Sequence, residues 1–539
     1  MKRWSNVNAI YQIYPRSFKD TDSNGIGDIS GVIDRLDYIK GGKDALGIDA
    51  IWLSPFYPST MADFGYDITD YCDVDPLFGT LNEFKRLLED AHARQIRIMI
   101  DFVPNHTSFK HSWFLESLSS RTNSKRDWYI WRDPQPDGSA PNNWLSIAGG
   151  SAWEYDKTTN QYYLHSFLKE QPDLNWENAQ VRQAMKEVID FWLSMGVDGL
   201  RVDAVRWMAK DQSFADNPLN PDYHDEQNDP YGAQIHTYSQ SGPQLLEYLT
   251  ELVANVERYD DRILLFEAYP DLSGGRTLSD RNRQYLDLYK INPEVAMPFN
   301  FEGLFTDFSA DSFRKFVDGF QSSLPNNCMP VYCFSNHDQS RIVSRFGRQQ
   351  SRLISMLQLT LPGLPVVYYG DELGMEDVPI EASQVQDSFE KQNPGHGLGR
   401  DPQRTPMQWS AEEYAGFSQA KPWLPVANDS IRYNVASEMD DKKSFLSLYR
   451  NLLGFRDRSD VLRDGTYVSL QESNDQIFAY AREKGDERVV IILNISDEMS
   501  SFELEDSAEV VLSTDGSRQI GRQSESIINL APYEALIVR

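Results

Sequence analysis

At 539 residues the chain can bury a large core and hold more than one domain, and its 40% hydrophobic and 25% charged residues are ordinary for a globular protein. With 81 acidic against 52 basic residues and a formal charge of −29, it would repel a phosphate backbone or an anionic bilayer, which argues against nucleic acid or a membrane as partner and suits a neutral ligand. Met1-Lys2-Arg3-Trp4-Ser5-Asn6 has no apolar run behind its positive charges, no run of about 18 apolar residues occurs, and three cysteines are too few for a disulfide framework; a cytoplasmic protein with Cys72, Cys328 and Cys333 as buried thiols is expected.

Ala9–Pro15 reads as a first strand. The loop after it, Asp20-x-Asp22-x-Asn24-Gly25-Ile26-Gly27-Asp28, has the spacing of the first nine positions of a calcium loop, with the Ile26 carbonyl as a further ligand. Its twelfth position is Gly31 rather than Glu, so a full EF-hand is not expected, and an Asx-rich turn without metal is the alternative. A helix over Ile29–Lys40 leads to a second strand, Gly47–Pro55. Thr80 and Glu83 then form a capping box for a helix whose apolar face is Phe84, Leu87, Leu88 and Ala91. Ile96–Val103 is a third strand, carrying Asp101.

From about 105 to 175 the rhythm of strand and helix breaks, and the Trp-, Gly-, Pro- and Asn-rich segment, with Tyr162–His165 as its clearest strand, is too long for an idle connection. It reads as an inserted subdomain. Val181, Met185, Val188, Trp192 and Met195 recur at helical spacing, Gly196 closes the helix, and Gly199–Val202 follows as a fourth strand ending in Asp203, with Arg201 on the same side of the pleat. Ile263–Phe266 is a fifth strand that delivers Glu267; Val295–Phe299 is a weaker sixth, with a helix over Asp311–Gln321; Val331–Asp338 is a seventh and Leu364–Gly370 an eighth. Eight strands in this order predict an α/β fold, a (β/α)8 TIM barrel, with functional residues at the C-terminal strand ends. Residues 371–440 form a long polar insertion before a last barrel helix, Lys443–Phe455. Short alternating runs beyond it predict a C-terminal antiparallel β domain. The domains are thus 1–104 with 176–458, 105–175, and 459–539.

The strand ends collect Asp101, Asp203, Glu267 and Asp338, with His106, Arg201 and His337 beside them. Four acids packed at one barrel mouth are electrostatically expensive unless something uses them. A metal site is one use; glycoside hydrolysis, in which one carboxylate attacks and a protonated one flanks the scissile bond, is the other.

Asp101-Phe102-Val103-Pro104-Asn105-His106, Gly199–Val205, Phe266-Glu267-Ala268-Tyr269 and Ser335-Asn336-His337-Asp338 resemble, in order, the four signatures of the α-amylase family, glycoside hydrolase family 13, in its oligo-1,6-glucosidase and α-glucosidase branch; Gln171–Asn175 and Arg400–Trp409 extend the likeness over nearly the whole chain. The third signature departs from the usual pattern, since a Gly or Thr more often precedes the glutamate. The resemblance implies Asp203 as nucleophile, kept ionised by Arg201; Glu267 as acid and then base; and Asp338 as the residue binding sugar hydroxyls as the ring flattens. It implies that His106, His337 and Tyr66 line the pocket for the terminal glucose, with Phe167 and Arg201 as further substrate contacts, and that Asp63 and Arg400 close it, making the enzyme exo-acting. It also favours structural Ca2+ on Asp20, Asp22, Asn24, Ile26 and Asp28, with no organic cofactor. Ala204 stands where a Val goes with α-1,6 preference, so α-1,4 links or sucrose are expected to be preferred. The rivals are a transglucosylase, sucrose isomerase or trehalose synthase on the same site and, remotely, a non-catalytic sugar-binding barrel. Short oligosaccharides or disaccharides are the expected partners; oligomeric state is not legible.

Overall fold

The computed structural model describes all residues except 225–228, 273, 275, 471–474, 505–507 and 523–525. Eight parallel strands, β1 (Ile10–Ile13), β2 (Ala50–Leu53), β3 (Arg97–Phe102), β4 (Gly199–Val202), β5 (Ile263–Phe266), β6 (Ala296–Asn300), β7 (Val331–Tyr332) and β8 (Val366–Tyr368), pair in the order β7-β6-β5-β4-β3-β2-β1-β8. Every residue in them is buried, as strands covered on both faces by helices and core must be.

The ring is nearly, not fully, closed. No ladder joins β7 to β8 among the described residues; at the base of that seam the Leu364 N–H donates to the Pro330 carbonyl at 2.9 Å. Gly363 permits this approach, because its φ is +91° and a Cβ would stand 1.9 Å from the Pro330 oxygen. The seventh strand was expected to reach Asp338, but only its first two residues pair with β6. The remainder is drawn away by side chains: Arg345 donates to the Phe334 carbonyl and Arg404 to that of His337.

Several local expectations hold and others do not. Thr80 caps the helix Leu81–Ala93 through the Glu83 N–H at 3.2 Å, and Phe84, Leu87, Leu88 and Ala91 are its buried face. The Glu83 carboxylate, however, accepts from the Thr80 hydroxyl at 2.9 Å, so the box is closed through that side chain. The helix expected over 29–40 is two, Ile29–Asp34 and Leu36–Ile39, broken at Arg35, whose guanidinium lies over the Trp409 ring. Ala179–Met195 ends at Gly196 in the left-handed conformation, φ +114°. Of the cysteines only Cys333 is fully buried; all three are free.

Between β3 and β4, the strands Trp131–Arg132, Gln161–Leu164 and Trp153–Asp156 make a small antiparallel sheet. Asp173 pins this segment to the barrel mouth, accepting from Ser166 N–H at 2.9 Å and pairing with Lys210 at 2.6 Å. After the helix Phe445–Arg458, six antiparallel strands form the C-terminal sheet, Thr466–Leu470, Ile477–Lys484, Glu487–Asn494, Ala535–Val538, Glu509–Ser513 and Gly521–Arg522 in spatial order, beside the separate pair Ser500–Glu503 and Ile527–Leu530. Alternation decides what each face buries: Phe478, Tyr480, Ile491, Leu493 and Ile537 join the barrel core, while Ile477, Ala479, Ala481 and Ile492 build a second one. No helix among the described residues is long and apolar enough to cross a membrane.

Candidate active site

Strand register delivers the first acids. Asp101 pairs with Arg201 across β3 and β4, and Val202 with Phe266 across β4 and β5. The residues one step beyond, Asp203 and Glu267, therefore leave adjacent strands at the same height, with the Asp203 N–H on the Phe102 carbonyl at 2.8 Å and that of Glu267 on Val202 at 2.9 Å. One guanidinium organises them. Arg201 Nη1 donates to Asp101 Oδ1 and Asp203 Oδ1, both at 2.6 Å, and Nη2 donates to Glu267 Oε1. A second donor on Glu267 is the Ala204 N–H, 2.7 Å from Oε2. Ala204 can aim it there because its backbone is left-handed, φ 49° and ψ 39°, a conformation uncommon for a residue with a Cβ.

Asp338 is held from the other insertion. Arg404 Nη2 donates to its Oδ1 at 2.8 Å, Arg400 Nη1 stands 3.6 Å from the same oxygen, and His337 Nε2 lies 3.3 Å from Oδ2. Its side chain is 20% exposed, against 9% for Asp203 and 8% for Glu267, so solvent reaches the site from its side. The Tyr66 ring stacks on His337, centroids 5.5 Å apart, with its hydroxyl 2.6 Å from Nε2, while Gln12 Nε2 lies 2.8 Å from Nδ1. Arg400 Nη2 donates to Asp63 Oδ1 at 2.6 Å, and the other Asp63 oxygen accepts from Gln171 Nε2 at 3.1 Å. Gln171 also stands 3.0 Å from His106 Nε2, and Phe167 packs between the rings of His106 and Trp207, 5.1 and 5.3 Å away. All the residues singled out for the sugar site thus fall in one connected group.

Burial and charge set the protonation pattern. Burial, then Glu267, pushes the Asp203 carboxyl well up; Arg201 pulls it down, as expected of an opposite charge, but only partly opposes them. Glu267 is raised too, by burial first and by Asp338 against the pull of Arg201. Both carboxyls on this guanidinium are thus shifted toward holding a proton, and as neighbours they titrate together. Asp101 is lifted by burial to about 6. Asp338 goes the other way: burial would raise it, but His337, Arg404 and Arg400 bring it to about 2. Because burial keeps His337 neutral, the two arginines are the charges responsible. Burial likewise holds His106 neutral, down to about 4, so both histidines meet a ligand as uncharged hydrogen-bonding groups.

In the loop before the first helix, Asp20, Asp22 and Asp28 each offer an oxygen within 4.8 Å of the others. Three carboxylates on a preformed loop fit a hard divalent cation. Backbone amides shape the loop: Gly25 N–H donates to Asp20 at 2.8 Å, Asn24 N–H to Asp22 at 3.1 Å and Gly31 N–H to Asp28 at 2.7 Å. The Asn24 side-chain Oδ1 accepts the Ile26 N–H at 2.8 Å. Gly31 could not be the bidentate Glu of an EF-hand, since its Cβ would stand 2.0 Å from the Lys19 carbonyl.

A model of the alpha amylase catalytic domain matches residues 12–465, and one of the alpha-amylase SusG C-terminal domain matches 477–537. The chain belongs to the α-amylase family. It is 40% identical to a probable alpha-glucosidase of Rhizobium meliloti over 93% of this chain and 91% of that one. It is 37% identical to an oligo-1,6-glucosidase of Heyndrickxia coagulans over 94% of both. Among solved structures, an alpha-glucosyl transfer enzyme superposes with a TM-score of 0.91 at 37% identity, covering 100% of both chains.

Several residues of this α-amylase-family site escaped the reading of the chain. Arg404 lies four positions after Arg400 in the same motif and Gln171 opens the segment Gln171–Asn175; both stood in stretches already singled out. Asp387, which takes Arg400 Nε at 2.8 Å and its N–H at 2.7 Å, had no local signal, and neither did Gln12 or Trp52, which donates to Asp101 at 3.0 Å.

Proposed function

We propose that this enzyme is a retaining, exo-acting α-glucosidase that releases glucose from the non-reducing end of short α-glucosides. The observation that carries the reading is the single guanidinium of Arg201 holding the buried Asp203 and Glu267 together. Carboxyls tied to one side chain suit the separation of about 5–5.5 Å at which one attacks carbon directly, rather than the ~6.5–9.5 Å that leaves room for a water. Asp203 forms the bond to the anomeric carbon as Glu267 gives its proton to the departing oxygen, yielding a glucosyl ester; Glu267 then takes a proton from water, whose oxygen attacks the same carbon and expels Asp203. Asp338, ionised by its arginines, accepts hydrogen bonds from ring hydroxyls as positive charge develops. Tyr66, His106, Phe167, His337 and Arg201 line the glucose pocket, and the Asp63–Arg400 pair at 2.6 Å closes its far end, which suits a chain end and not the interior of a polymer.

Ala204 supports α-1,4 links or sucrose over α-1,6. On maltose, sucrose, isomaltose and trehalose, the expected result is glucose released with retained configuration, isomaltose the poorer substrate, and little loss of starch viscosity; a large isomaltose preference would overturn the linkage, and rapid thinning of starch the exo mode. The likeness to an alpha-glucosyl transfer enzyme favours a second reading, in which a sugar hydroxyl rather than water attacks the ester; new oligosaccharides at high maltose would establish it.

The metal reading is also a proposal: Ca2+ held by Asp20, Asp22 and Asp28 with Asn24 and the Ile26 carbonyl, in a structural role. Chelation is expected to lower Tm by about 5 °C, restored by Ca2+, as loss of a ligand bound only by the folded state requires. An unchanged Tm would leave the loop a metal-free Asx turn. We divide the chain into a barrel of 1–104 and 176–458, an inserted 105–175 and a C-terminal 459–539. The free thiols support a cytoplasmic site of action.

A further inference from the structure

Among the described residues no hydrogen-bonded ladder joins β7 to β8, yet the chain that leaves β7 carries Asp338 six residues later. What crosses the upper half of the seam is side-chain chemistry. Ser335 Oγ donates to Asp371 Oδ1 at 3.1 Å, and the other Asp371 oxygen accepts the Tyr368 N–H at 3.2 Å, tying the first turn after β8 to the chain after β7. Arg341, fully buried, donates from Nη1 to the Tyr369 carbonyl at 2.8 Å, and that nitrogen lies 4.0 Å from Asp371. Asp377 accepts the Arg341 N–H at 2.9 Å. Between these ties the backbone turns, with the Asn336 side-chain Oδ1 accepting the N–H of Asp338 at 3.0 Å and of Gln339 at 2.9 Å. Ser335 is 0% and Asp371 6% exposed, and neither is among the groups that line the sugar pocket.

We propose that Asp371 is a positioning residue for Asp338: through Ser335 and Arg341 it closes the seam between β7 and β8 and fixes the turn on which His337 and Asp338 enter the pocket. The inference rests on the glucosidase reading, because it assigns work to Asp338. Without the Ser335–Asp371 bond the turn loses its tie to the chain after β8 and is left to Arg404, which holds the His337 carbonyl and Asp338 from the other side, and a displacement near 1 Å at a catalytic carboxylate can cost about 100-fold in rate.

Ser335→Ala removes one hydroxyl from a buried site and tests this without emptying it. Assayed on an aryl α-glucoside, it is expected to lower kcat by about 10-fold or more with KM within about twofold of the parent and Tm within a few degrees. Asp371→Ala should act in the same direction and more strongly; if it does not fold, Ser335→Ala stands alone. In an Asp338→Asn background Ser335→Ala should then cost no more than about twofold, since two changes acting through one group do not add. An unchanged kcat in Ser335→Ala, or full multiplication of its loss with that of Asp338→Asn, would overturn the assignment. A parent enzyme inactive on every α-glucoside would instead sink the glucosidase reading.

Discussion

Asp203→Asn is expected to fold and bind sugar while losing kcat by on the order of 10⁴-fold or more, because an amide oxygen cannot form and release the glucosyl ester. The substitution is nearly isosteric, and the amide oxygen can still accept from Arg201 Nη1, which stands 2.6 Å from Asp203 Oδ1. The packing around the site is therefore retained, and Tm should stay close to that of the parent. A steady-state assay on maltose with a thermal melt beside it separates the outcomes. Substantial turnover with retained configuration would remove Asp203 from the role of nucleophile. A loss of activity that merely followed a loss of folded protein would say nothing of its chemistry, which is why the melt belongs to the test.

Arg201→Met is expected to damage stability as well as catalysis. The guanidinium is 1% exposed and touches three acids, Asp101, Asp203 and Glu267. Removing one partner of a buried ion pair costs about 3–5 kcal/mol, because the charge left behind keeps its desolvation penalty. The sign of the pH dependence follows. Asp101, Asp203 and Glu267 already lie above their ordinary values through burial, with Arg201 the charge that pulls each of them down. Without it they rise further, so the folded state holds protons that the unfolded chain has released, and stability falls as pH increases. The Tm deficit of Arg201→Met relative to the parent should thus be larger at pH 8 than at pH 5. A deficit independent of pH would mean that the lost packing of the side chain, and not the uncompensated charge, is what hurts.

The sequence by itself determined that Asp203, Glu267 and Asp338 stand beyond strand ends. Short apolar runs leading to Asp203, Glu267 and Asp338, and helical runs closed by residues such as Gly196, are local patterns that survive in any context. Strand alternation alone placed Arg201 and Asp203 on one side, and they meet at 2.6 Å. The tertiary structure decided what holds those residues. The grip of Arg404 and Arg400 on Asp338, of Asp387 on Arg400, and of Arg400 and Gln171 on Asp63 joins segments as much as 337 positions apart, and no local periodicity encodes a contact between two loops. The same limit explains β7, which the apolar run extended to Asp338 and the fold ended at Tyr332, beyond which Arg345 and the buried Arg404 take the carbonyls of Phe334 and His337. It also explains why the Asp203 carboxyl lies above its ordinary value, because a neighbouring Arg is visible in the chain, whereas burial, the larger influence, exists only once the barrel has closed around both.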